Sequence, residues 1–124
     1  MAVLPEKVIK EWQNRVGPIV FSTVNNKGIP NAIYATCVSI YNPETIVIAD
    51  NRFEKTRDNI LNGSKGSILF LTGEKISFQV KGSLEYHKTG EIFDDMKKWN
   101  PAKLPGHAAV ALRVEEVYSG AEKL

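Results

Sequence analysis

The chain has 124 residues, of which 43% are apolar and 24% charged, with a formal net charge of +2. That length suits one domain with its own core, and the composition excludes a disordered chain. Acids and bases alternate along it, without the basic block that nucleic-acid binding would call for, and its single cysteine, Cys37, excludes an intrachain disulfide and a cysteine-based zinc cluster.

In chain order, Pro5–Arg15 reads as a helix with Val8, Ile9, Trp12 and Val16 on one apolar face, stopped by Gly17–Pro18. Ile19–Val24 reads as a strand and Asn25–Gly28 as a hairpin turn. A second strand should run from about Asn31 to Tyr41, and Asn42–Glu44 turns the chain into a third, Thr45–Ala49. After Arg52 comes a helix carrying Ile60 and Leu61 inward and ending at Asn62–Gly63. Ser67–Thr72 and Ile76–Tyr86 form a strand pair, with Gly82 marking a bulge or close backbone approach. Gly90–Trp99 reads as a helix with Ile92, Phe93 and Met96 buried, and His107–Tyr118 as the last strand, alternating at Val110, Leu112 and Val114. The order α-β-β-β-α-β-β-α-β, with hairpin connections, predicts a mainly β fold over residues 1–124. We expect a six-stranded antiparallel split barrel with helices capping its ends.

The segment richest in chemistry is Glu44–Asn59, where a strand runs through Asp50–Asn51–Arg52 into a helix opening at Lys55–Thr56. A lysine and a hydroxyl at a helix start suit a phosphate, although they serve equally as solvated first-turn residues. No glycine-rich fingerprint accompanies them, so neither a P-loop nor a Rossmann site is indicated. Asp50 and Asn51 also read as plain turn residues. Cys37 reads as a small buried hydrophobe, His87 and His107 as isolated surface or structural residues, and Asn59 as a support for the neighbouring loop.

Val20–Val24, Lys27–Pro30, Val47–Asp50, Lys55–Thr56 with Asn59, and His107–Val114, in that order and spacing, resemble the FMN-binding split-barrel family. That family includes the pyridoxamine 5′-phosphate oxidase-like proteins, and this chain is most similar to its small bacterial FMN-binding members. The resemblance implies that Lys55 and Thr56 hold the FMN phosphate. It implies flavin contacts from Tyr34, Ala35, Thr36 and Cys37, and backbone contacts beside the ring from Ala49, Asp50 and Asn51. It further implies a homodimer with FMN at the interface, where Gln79 contributes. The basic, His-containing C-terminal segment of true pyridoxamine phosphate oxidases has no counterpart here, so that particular activity is not expected.

The expected function is that of a flavin-dependent oxidoreductase of unknown substrate; the alternative is a non-enzymatic FMN-binding electron carrier. No catalytic acid, base, nucleophile or metal site is assigned. The electron donor or acceptor would be a small molecule or a redox protein, and a deazaflavin is a possible replacement for FMN. An OB-type nucleic-acid barrel ranks low, because lysines and arginines are dispersed and most aromatics fall on apolar faces. With no apolar run long enough to span a bilayer and no basic-then-apolar leader, a cytoplasmic location is expected and no membrane partner.

Overall fold

The computed structural model describes residues 2–124. The elements are α1 (Glu6–Trp12), β1 (Ile19–Val24), β2 (Pro30–Ala35), β3 (Val38–Asn42), β4 (Thr45–Asp50), α2 (Lys55–Leu61), β5 (Gly66–Leu71), β6 (Ser77–His87), α3 (Glu91–Trp99), β7 (Ala108–Ser119) and β8 (Glu122–Lys123). All strands belong to one antiparallel sheet ordered β2-β1-β5-β6-β7-β4-β3, with β8 pairing β7. The mainly β, antiparallel expectation holds, but the described residues form eight strands rather than six. One extra strand is the short β8. The other arises because the expected strand over 31–41 is broken at Thr36–Cys37.

That break organises the molecule. Residues on either side of it are extended, yet β2 pairs only with β1 and β3 only with β4. The two outermost strands of the curled sheet are thus consecutive in sequence. A kink joins them, in which the Val38 N–H bonds to Thr36 O at 3.1 Å and Cys37 O accepts from the Ala49 N–H at 2.9 Å. At this seam the edges are linked by chain rather than by a ladder, so edge backbone groups remain available.

Alternation puts Ile19, Phe21, Ile68, Phe70, Phe78 and Val80 inside the curl, with Ile46, Ile48, Val110, Leu112 and Val114. α1 closes one end through Val8 and Trp12, whose indole meets Phe70 edge-on at 5.1 Å; Ile60 of α2 joins the same core. The outer faces of β4 and β7 are covered by Ile92 and Met96 of α3. For that reason β4 and the first half of β7 are buried on both sides, instead of alternating as the sequence suggests for His107–Tyr118. α1 is shorter than expected, and Val16 is exposed because the helix ends before it can face the core. Leu61, expected inward, points to solvent at the last turn of α2. Among the described residues no helix is long and apolar enough to cross a membrane.

Candidate functional site

The seam between β2 and β3 opens into a cleft of about 360 Å³. Its walls are Ile33, Tyr34, Ala35, Thr36 and Cys37 on one side, with Ala49, Asn51, Arg52, Phe53 and Leu104 completing it. Six residues singled out in the sequence therefore meet here: Tyr34, Ala35, Thr36, Cys37, Ala49 and Asn51. Tyr34 stands on the rim, 77% exposed. Cys37 is half-buried rather than a core residue, because the kink turns it towards the cleft and the underside of α3.

Asp50 is not among the lining residues. It is fully buried, and its carboxylate accepts hydrogen bonds from the Phe53 N–H at 3.0 Å, Arg57 Nε at 2.8 Å, Arg57 Nη2 at 3.1 Å and the Tyr86 hydroxyl. Burial alone would raise its pKa, but the donors from Arg57, Tyr86 and Phe53 outweigh it and hold the carboxyl below the ordinary aspartate range. Burial and the Asp50 charge push the Tyr86 phenol up, and the bond to Asp50 raises the Arg57 guanidinium. This network welds the end of β4 to α2 and β6, and so fixes the 51–54 turn that forms one cleft wall. The Asp50 carbonyl is also occupied, accepting from the His107 N–H at 2.8 Å.

Lys55 and Thr56 lie further along β2, next to its first residues. Lys55 is exposed beside Asn31, while Thr56 is 2% exposed and its hydroxyl accepts from Asn31 Nδ2 at 3.0 Å. α2 opens here without a side-chain cap from Glu54. Asn31, Ile33 and Ala35 share one face of β2, so the cationic corner lies roughly 7 Å along the strand from the nearest cleft residue, Ile33, and roughly 13 Å from Ala35. Asn59 supports the loop as expected, its amide donating to Thr23 Oγ1 at 3.0 Å while its carbonyl receives the Ser64 N–H.

Gln79 sits apart from this cleft, on the outer face of β6 across from Leu69 and Tyr118. His87 is not isolated: its Nε2 lies 2.8 Å from Glu85 Oε1, itself paired with Arg113, because residues two apart on β6 share a face. Sequence reasoning missed Arg57, Tyr86, Phe53, Asn100 and Leu104. Arg57 was one residue beyond the singled-out pair, and a conspicuous Asn–Pro after α3 was the only local sign of Asn100.

The family model described as pyridoxamine 5′-phosphate oxidase matches residues 5–120. An uncharacterized protein of Methanocaldococcus jannaschii is 28% identical over 121 residues, 94% of this chain and 80% of that protein. HupZ of Group A Streptococcus superposes with a TM-score of 0.81 at 24% identity, covering 94% of this chain and 93% of that one. An FMN-binding protein of Syntrophomonas wolfei gives 0.74 at 23% identity, covering 92% and 95%. HutZ, the heme storage protein of Vibrio cholerae, gives 0.69 at 16% identity, covering 94% of each chain. At these identities the solved structures establish the fold, and the match across 5–120 establishes more: the chain belongs to the pyridoxamine 5′-phosphate oxidase family.

Proposed function

We propose that this protein binds FMN in the seam cleft and works as a flavin-dependent oxidoreductase. The observation that carries the reading is the joint placement of an apolar slot and a cationic corner on one face of β2. Ile33, Ala35, Ala49, Phe53 and Leu104 offer walls for a planar ring, and the open edge near the kink offers backbone donors and acceptors for its polar rim. Lys55 would neutralise the phosphate, with Thr56 beside it and Asn31 tethered to the Thr56 hydroxyl. The cleft's volume lies near the lower end of the range for small-molecule sites, about 300–1,000 Å³, as suits one chain's share of a site completed by another.

A second copy is the natural partner. Tyr34, Val20, Leu69, Gln79 and Tyr118 are successive register neighbours across five strands on the sheet's outer face. The row ends at the cleft rim through Tyr34; Leu69 is exposed within it, and Leu71 is exposed beside it, two residues further along β5. An exposed apolar surface of this kind marks an interaction site, and a two-fold pairing there would bring the partner's row, Gln79 included, towards the cleft.

Bound FMN would supply reversible one- and two-electron transfer, while the chain binds it, orients it and limits water. Tyr34 on the open rim leaves room for a small-molecule substrate or a redox partner. Turnover with a nicotinamide donor marks the enzyme, and reduction only through a partner protein marks the carrier. The phosphate assignment is tested by Lys55→Ala, measured against FMN and riboflavin. Loss of one charged hydrogen bond is worth about 1.5–3 kcal/mol, so FMN affinity should fall roughly tenfold or more while riboflavin affinity stays close to wild type. An equal loss for both ligands removes Lys55 from the phosphate site.

A further inference from the structure

We infer that Asn51 and Asn100 are positioning residues that seat Leu104 over the cleft, making the segment between Asn100 and His107 a strap that governs release of the bound flavin. The inference rests on the flavin reading above. α3 ends as the Asn100 N–H bonds to Met96 O at 2.9 Å, and Pro101 then forces the chain into an extended exit. Asn100 is buried, and its side chain exchanges two hydrogen bonds with Asn51: Asn51 Nδ2 donates to Asn100 Oδ1 at 3.0 Å, and Asn100 Nδ2 donates to Asn51 Oδ1 at 2.9 Å. Asn51 Oδ1 also accepts the Gly106 N–H at 2.9 Å. One amide therefore grips both ends of the strap.

The remaining contacts tighten the same grip. Lys97 Nζ donates to Pro105 O at 3.0 Å and to Gly106 O at 3.3 Å. Gly106 has φ +51°, and a Cβ there would lie 2.9 Å from Lys97 Nζ and 3.0 Å from Asn100 Nδ2, so a side chain would press on the anchors. Between the anchors the Leu104 N–H bonds to Pro101 O at 2.9 Å, and two prolines restrict the rest. Ala102, Lys103 and Pro105 face solvent, whereas Leu104 is half-buried and lines the cleft with Ala49 and Phe53. Asn51 has both oxygen lone pairs and one N–H committed to this latch. Through this latch its amide acts on the cofactor by way of Leu104.

The test follows FMN release by the recovery of free-flavin fluorescence after dilution far below the dissociation constant, in wild type, Leu104→Ala, Asn100→Ala and the double variant. Each single change should speed release about tenfold, the scale set by uncovering a partly buried leucine. The double variant should release no faster than Leu104→Ala, because both remove the same cover. Trypsin cleavage after Lys103, measured without flavin, should quicken in Asn100→Ala. Wild-type release from Leu104→Ala, or rates that multiply in the double variant, overturns the inference while leaving the flavin reading intact. A wild-type protein that takes up no FMN overturns that reading and the strap's cofactor role, and unaltered cleavage after Lys103 in Asn100→Ala overturns the latch itself.

Discussion

Replacing Asp50 with alanine should lower the unfolding free energy by about 3 kcal/mol, near the lower end of the cost of breaking a buried ion pair, because Arg57 is one-third exposed. For a chain of this size that is a fall of roughly 10–15 °C in Tm. Tyr86→Phe, which removes one donor and leaves the charges paired, should cost only about 1 kcal/mol. The effect carries a pH signature. Arg57, Tyr86 and the Phe53 N–H together hold the folded Asp50 carboxyl below its ordinary pKa despite burial, so its stabilisation is complete above the unfolded value of about 3.9. It is lost as the pH falls from there through the folded value, where protonation leaves Arg57 facing a neutral acid. Denaturant titrations should accordingly show the wild type and Asp50→Ala well separated near neutrality and converging in strong acid. A separation that persists unchanged in acid would mean the carboxylate's charge is not what the network uses. Because the turn over 51–54 hangs from this carboxylate, flavin affinity should drop with stability.

Gly82→Ala should be at least as damaging, about 3 kcal/mol, with loss of most soluble protein on expression. A Cβ at this position would lie 1.9 Å from the Arg113 carbonyl oxygen and 3.0 Å from a Leu112 methyl. The obstacle is backbone in the middle of the β6–β7 ladder, at the point where register shifts between Lys81 and Gly82. No rotamer change relieves it; the two longest strands must separate. An alanine variant of wild-type thermal stability would show that the bulge can relax at little cost, contrary to the close packing seen here.

Gly82 also illustrates what the sequence makes legible. A glycine interrupting an alternating strand has few reasons to be there, and close backbone approach is one of them. The hairpin at Asn25–Gly28 was equally readable: the side-chain Oδ1 of Asn25 accepts from the Lys27 and Ile29 N–H groups, and Gly28 takes φ +77°. Such features are local, decided by residues a few positions apart. The break at Thr36–Cys37 was not readable, because β-branched and aromatic residues continue through it while the pairing partner changes from β1 to β4. Partner choice is set by the closing of the whole sheet and leaves no mark in the pattern of one segment.

The same distinction divides the candidate site. Resemblance drew Tyr34–Cys37 and Ala49–Asn51 together, and the cleft unites all of them except Asp50. Asp50 looked like a turn residue because its partners are remote: Arg57 is seven positions away and Tyr86 thirty-six. Asn51 and Asn100 are forty-nine apart, and neither amide announces the other. Thr56, expected to face a ligand, is packed behind Asn31, a residue that by itself signalled only the start of a strand.

The central claim is that two chains share FMN across the row from Tyr34 to Tyr118, and sedimentation velocity of the protein mixed with FMN, recorded at both the protein and the flavin absorbance, tests it in one experiment. Flavin travelling with a two-chain particle, at one FMN per chain, is the predicted result. Flavin left behind in the supernatant while the protein sediments, or flavin travelling with a one-chain particle, contradicts it.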